Sequence, residues 1–331
     1  MIFNSLYILF LLFSTVFLVR ESFSQDCQIN YRQEMRKFVI KINKWVKRYN
    51  PEGIVVVQGG YDLLTSDGTP EGEFVNSYIN AIDGQAVEDL FYGWEEDNEA
   101  TPEDEQNWIF GYLDRLILID KMVFSTDYVW EQWKVDDQIQ RATSRGYIPF
   151  PTPCRELNCI PYYPESPVNE NNEDITALSQ VQNYLYIINP ENFENKRQFI
   201  NTLKDTNYDL LVIDATFDGL RFLKKKDIKK LKIKANGGKR LVLAYLSIGE
   251  AEDYRWYWKR WWWKFVKKDL LGPENPYWEG NYLVKYWKGL WKRIVRIYIR
   301  KIMRAGFDGV FLDKVDSYET WEEITGCSFY N

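Results

Sequence analysis

The sequence predicts an α/β fold built on parallel strands, and two observations carry that reading. Short apolar runs alternate with segments of helical periodicity, the pattern of βα units. Several of those runs end in a carboxylate: DLLVID at Asp214, LVLAYLSIGE at Glu250, GVFLD at Asp313, QAVED at Glu88 and Asp89, and MVFSTD at Asp127. In a parallel barrel every strand C-terminus opens on one face, so such acids would converge there. A single acid in that place is ordinarily a cap for the next helix or turn, whereas five strands ending this way in one chain point to a site.

The elements follow in order. Residues 6–19 are apolar apart from Ser14 and Thr15 and are followed by Ser22 and Ser24. That run is short for a membrane span and reads as a secretory signal over 1–24, with an uncleaved anchor as the alternative. The expected product is secreted, extracellular and free of the membrane once cleaved. EMRKFVIKINKWVKRYN sets Phe38, Ile42, Trp45 and Val46 at helical spacing, and IVVVQGG (54–60) reads as a buried strand. A second strand is expected over 85–90. A helix should then begin at TPEDEQNW, with Thr101 as N-cap and Pro102 in its first turn. MVFSTDY (122–128) is a strand, and DDQIQRATSRGYIPFPTP supplies a short helix and another strand. Residues 149–180, with six prolines and NENNED, change character and read as a linker or long surface excursion. Beyond them VQNYLYIIN, YDLLVIDAT, KRLVLAYLSIGEAE and GVFLD alternate with helices, the last helix over 290–305. The basic stretch RFLKKKDIKKLKIK carries Phe222, Ile228, Leu231 and Ile233, which suits an amphipathic outer helix better than an anion site.

Composition narrows the chemistry. A net charge of −6 and a pI near 5.1 argue against nucleic acid as a partner and suit a neutral or cationic one. The chain has no histidine, which removes Ser-His-Asp and Cys-His catalysis and the His-bearing zinc sites. Acid–base work then falls mainly to Asp and Glu, and no metal or other cofactor is expected. Clustered carboxylates repel, which drives their pKa values apart and separates an acid from a base or nucleophile, as glycoside hydrolysis requires. Four cysteines in an exported chain suit disulfides. Three pairings are possible. Joining Cys154 to Cys159 would leave Cys27 with Cys327, and a four-thiolate metal site is the competing reading. The region around residues 252–292 is rich in tryptophan. Trp256, Trp258, Trp278 and Trp287 either form a platform for sugar faces or pack a helix against the core.

VIDATFDG, LAYLSIGEAEDYRWYW, ENPYWEGNYLVKYW, AGFDGVFLDKVDSYETW, AIDGQAVEDLFYG and DNEATPEDE resemble the motifs of glycoside hydrolase family 114, the endo-α-1,4-polygalactosaminidase (β/α)8 barrels. The resemblance implies a single-domain TIM barrel and a glycosidase acting on an α-linked, amino-sugar polysaccharide, with the catalytic pair at Asp313 and Glu88. Asp214 and Glu250 would line the sugar site, and Tyr245, Asp316, Gln58, Asp127 and Trp256 complete the expected substrate-binding set. The order of the segments differs from the family's. Here the part that closes the family barrel comes first, at 25–154. A linker at 155–179 then joins the family's original termini, and 180–331 supplies the opening part, so the chain resembles a circular permutant. On that reading a Cys27–Cys327 bridge re-ties the opened loop. The competing reading is a fragment of a tandem-domain protein. Where the family has a QN-type motif followed by Glu, this chain has Gln58, Gly59, Gly60, Tyr61 and Asp62, a departure that bears on the substrate subsite. A non-catalytic carbohydrate-binding barrel and a structural secreted protein are the alternatives from other functional classes.

Overall fold

The apolar runs become the strands of one parallel barrel. The structure is a computed structural model that describes residues 27–328, so the signal expected over 1–24 lies outside the described residues. The chain opens on helix α1 (Tyr31–Lys47), capped by Asn30, whose side chain accepts from Gln33 N at 2.8 Å. Met35, Phe38, Val39, Ile42 and Val46 form its buried stripe. Then come β1 (Ile54–Gln58), α2 (Asn76–Ile79), β2 (Gly84–Glu88), α3 (Glu103–Ile117), β3 (Met122–Tyr128), α4 (Gln132–Ser144) and β4 (Ile148–Thr152). After the proline-rich segment follow β5 (Tyr184–Ile187), α5 (Lys196–Lys204), β6 (Leu210–Asp214), α6 (Lys225–Leu231), β7 (Leu241–Ser247) and β8 (Glu250–Glu252). The chain continues through α7 (Arg260–Leu270), β9 (Leu271–Glu274), β10 (Asn281–Val284), α8 (Gly289–Ala305), β11 (Gly309–Asp313) and α9 (Ser317–Thr325).

Eight strands pair in the order β4-β3-β2-β1-β11-β7-β6-β5, every pair parallel. This is the (β/α)8 barrel. β1 and β11 share a ladder from Ile54↔Gly309 to Val57↔Leu312. The approach there is close: a Cβ on Gly309 would meet the Ile54 carbonyl oxygen at 2.0 Å. Between β4 and β5 there is no ladder, and the proline pattern gives the reason. Val129 N donates to Thr152 O, so Thr152 and Phe150 turn their backbone groups to β3. Alternation then points Pro149 and Pro151 at β5, where each lacks the N–H that a ladder needs. Side chains close the gap instead. Tyr184 packs on Phe124 and Phe150 at 5.1 and 5.2 Å, and its hydroxyl pairs with Thr126 Oγ1 at 2.7 Å.

Both disulfides form, Cys27–Cys327 across 300 residues and Cys154–Cys159 across five. The segment between β4 and β5 is more than a surface excursion. Ile175, Leu178 and Val181 are buried, and Asn171 joins an ion pair between Lys234 and Asp209, whose side chains are both 0% exposed at 2.9 Å. Helix α3 starts later than expected. Thr101 does not cap it; its hydroxyl donates to the Asp89 carbonyl at 2.8 Å and so holds the loop after β2. A small antiparallel sheet, β8-β10-β9, stands between β7 and α8 on the rim where the parallel strands end.

Candidate active site

The C-terminal ends of the strands surround a cleft of about 420 Å³, within the size range of small-ligand pockets. Glu88 ends β2 and Asp313 ends β11, with β1 between them and its last residue, Gln58, on the cleft wall. Two donors fix Asp313: Tyr245 OH reaches Oδ2 at 2.6 Å and the Lys314 amide reaches Oδ1 at 2.7 Å. Glu88 accepts from Tyr128 OH at 3.0 Å. Burial pushes the Glu88 carboxyl up to about 8, and the charges of Asp313 and Asp89 push the same way; Tyr128 and Arg155 only partly offset them. The pair therefore contains a carboxyl that keeps its proton at neutral pH.

The other acids divide by partner. Asp214 is paired with Arg255, which also forks onto Glu252 at 2.7 and 2.9 Å, and Asp89 is held by Arg155 at 2.8 Å. Glu250 accepts from Asn275 at 2.9 Å and lies 3.9 Å from Lys314. Burial raises its carboxyl, as it raises that of Asp316. Burial likewise lifts Glu319 to about 7, with Asp316 and Asp62 contributing. Glu88, Asp313, Asp316 and Glu319 have no ion pair among the described residues. Gln58 and Asn281 each keep a buried amide oxygen with no hydrogen-bond partner there. The cleft is rich in acceptors and poor in free donors. Among the described residues no three His, Cys, Asp or Glu side chains are grouped to hold a metal ion.

The motif of Glycoside-hydrolase family GH114 matches residues 171–329, the half that carries Asp214, Tyr245, Glu250, Asp313 and Asp316. That segment belongs to family GH114. The chain is also similar to an uncharacterised protein of Methanocaldococcus jannaschii, 44% identical over 155 residues, which are 46% of this chain and 43% of the relative. A protein of Thermotoga maritima is 39% identical over 121 residues, 37% of this chain and 36% of the relative. One of Deinococcus radiodurans is 32% identical over 129 residues, 39% and 40% of the two chains. The matches thus span about two fifths of the curated relatives' length.

Seven of the expected site residues line the cleft of this barrel: Glu88, Asp313, Asp214, Glu250, Tyr245, Asp316 and Gln58. Two do not. Asp127 is fully buried and accepts from Phe91 N, Tyr92 N, Ser125 Oγ and Gln138 Nε2 at 2.6 to 3.0 Å. Strand alternation is the reason. Thr126 and Tyr128 of β3 meet Tyr184 and Glu88 inside, so Asp127 faces the helix layer and anchors the loop after Glu88. Trp256 packs among Phe222, Tyr257 and Tyr298 with ring centroids 5.7 to 5.9 Å away. Trp258 stacks on Tyr282, and Trp287 packs on Tyr31 and Trp321, so of the four candidate platform tryptophans only Trp278 lines the cleft. Sequence reasoning missed Trp94 and Trp108 on the cleft wall, Lys314 beside Asp313, and Arg155. The phase of alternation in MVFSTDY was a readable signal against Asp127. For Arg155 the one hint was its place between two cysteines.

Proposed function

We propose that the protein is a secreted glycoside hydrolase that cleaves an α-linked amino-sugar polysaccharide of the polygalactosamine type. The observation that carries this is the paired carboxyls on the rim, one proton-bearing and one held by two donors, in a barrel whose matched half is a GH114 sequence. Glu88 is the general acid. It gives its proton to the glycosidic oxygen as the bond to the anomeric carbon breaks. Asp313 acts on the opposite side, as nucleophile or as base toward water. The unpaired acids and the lone amide oxygens favour a substrate rich in donors, which hydroxyls and protonated amino groups supply. Trp278 on one wall and Trp94 and Trp108 elsewhere in the cleft offer faces for sugar rings.

We further propose that the barrel is a circular permutant of the family's. Two facts support this: the family match begins at residue 171, within the segment joining β4 to β5, and the barrel lacks its ladder at that same junction. The proposed secretion rests on two disulfides in the described residues and on the apolar stretch before them.

The test is release of reducing ends from deacetylated galactosaminogalactan. Glu88→Gln and Asp313→Asn should each lose about 10²–10⁴-fold in kcat. Wild-type activity should fall above about pH 8, where Glu88 gives up its proton. Binding of the polymer with no release by the wild type would leave a carbohydrate-binding barrel instead.

A further inference from the structure

The Cys154–Cys159 disulfide closes a short loop directly after β4, and that loop turns Arg155 into the cleft. The loop is sewn to the end of β5. Leu157, at φ +49°, lends its carbonyl to both Ile188 N (2.9 Å) and Asn189 N (3.2 Å), and Asn189 Nδ2 donates to Glu156 O at 2.6 Å. Arg155 has every arm engaged. Its fork meets Asp89 at 2.8 and 3.2 Å, Nε donates to Asp97 at 2.5 Å, and Nη2 also donates to Gly93 O at 2.8 Å. The guanidinium lies 4.0 Å over the ring of Tyr128, whose hydroxyl donates to Glu88. Asp89 sits next to Glu88 in the left-handed region, at φ +58°, a conformation a non-glycine residue holds only when its surroundings enforce it. A single cation thus grips the two groups that adjoin the Glu88 carboxyl, one along the chain and one across the sheet.

We infer that Arg155 is a positioning residue for Glu88, and that the Cys154–Cys159 loop is the clasp that keeps its guanidinium between Asp89 and Tyr128. The inference rests on reading Glu88 as the proton donor. The charge of Arg155 also opposes the upward push on Glu88 and Asp89. Its removal therefore has two separable effects, a displaced carboxyl and a higher titration midpoint.

The experiment compares wild type with Arg155→Gln, Arg155→Lys and the Cys154→Ser/Cys159→Ser pair. It measures kcat and KM against pH on deacetylated galactosaminogalactan, and the ¹³C titration of the Glu88 carboxyl, identified with Glu88→Gln. Arg155→Gln should lower kcat by about 10- to 100-fold with KM little changed, the scale of a small misplacement. Its alkaline limb and its Glu88 midpoint should both move to higher pH. Arg155→Lys should restore the midpoint but not kcat, because an ammonium cannot reproduce the fork. The serine pair should reproduce part of the kcat loss. Unchanged kcat and an unchanged midpoint in folded Arg155→Gln, or in the serine pair if Arg155→Gln does not fold, would overturn the inference. If neither wild type nor any variant releases sugar, the hydrolase reading falls and the positioning inference falls with it, since a moved midpoint alone reports only the lost charge of Arg155.

Discussion

The barrel closes on itself at two junctions, and they are opposite in construction. β1 and β11 lie far apart in sequence yet share an unbroken parallel ladder. β4 and β5 follow one another in the chain yet share none. At the first junction the backbone does the pairing, and covalent and ionic ties secure the flanking helices: Cys27–Cys327, the Arg32 pairs with Glu322 and Asp62, and Tyr286 OH donating to Tyr31 O. At the second, Pro149 and Pro151 remove the donors. An aromatic contact and a small disulfide loop hold the strands together instead, and a buried ion pair, Lys234–Asp209, anchors the segment that connects them. The difference shows that connectivity along the chain and pairing across the sheet are separable. A barrel needs closure at every junction, but any sufficient set of contacts supplies it.

The largest effect is expected where the tie spans most of the chain. Replacing Cys27 and Cys327 by serine should remove ~6 kcal/mol on the loop-entropy account, because the bridge spans 300 residues. Denaturant unfolding of the two forms measures it. In the anchor of the segment between β4 and β5, Asp209→Ala strands Lys234, which has no exposed side-chain surface. It should lose about 3–5 kcal/mol, and its unfolding midpoint should fall accordingly. The Cys154→Ser/Cys159→Ser pair comes next, at ~2 kcal/mol, since only five residues separate the cysteines. A loss as large as that of the Cys27–Cys327 pair would mean that the two junctions depend on their disulfides equally. The smallest change sharpens the comparison most. Pro151→Ala returns an N–H on the β5 side and should alter stability by no more than about 1 kcal/mol. Hydrogen exchange at residue 151 would then tell whether a ladder bond forms; a strongly protected amide there would make proline the sole cause of the gap.

Stability should also depend on pH through the cleft. Glu88 holds its proton more tightly folded than unfolded, so the folded state binds more protons between about pH 4.5 and 8 and stability falls as pH rises through that window. Glu88→Gln removes the Glu88 share of that slope and leaves the share of Glu319, and urea midpoints at pH 5 and pH 9 compare the two proteins. A midpoint for Glu88→Gln that falls between those pH values as steeply as that of wild type would sink the assignment of the proton to Glu88.

Much of this was legible in the sequence because it is local. Apolar runs of strand length, amphipathic helices and carboxylates at strand ends are short-range patterns, and they located the strands and the cleft acids Glu88, Asp89, Asp214, Glu250 and Asp313, while Tyr245, Asp316 and Gln58 came from the family resemblance. The absence of histidine restricted the acid–base chemistry before any contact was known. The remainder depends on contacts between distant segments. Asp127 and Glu88 end similar runs, but a difference in alternation phase sends one to the helix layer and the other to the cleft. Trp256 and Trp278 belong to one aromatic stretch, and only packing against Tyr298 on α8 separates a core ring from a cleft wall. Arg155 lies in a segment that reads as linker, and nothing near it in sequence names Asp89 or Tyr128 as its partners. The sequence by itself determined the α/β class and the carboxylate chemistry, because periodicity and composition are properties of the chain, and its motifs carried the resemblance that implied the (β/α)8 barrel and the catalytic pair. Which acids meet, which of them keeps a proton, and how each junction closes were decided by the tertiary structure, because burial and charge proximity exist only once distant strands stand side by side.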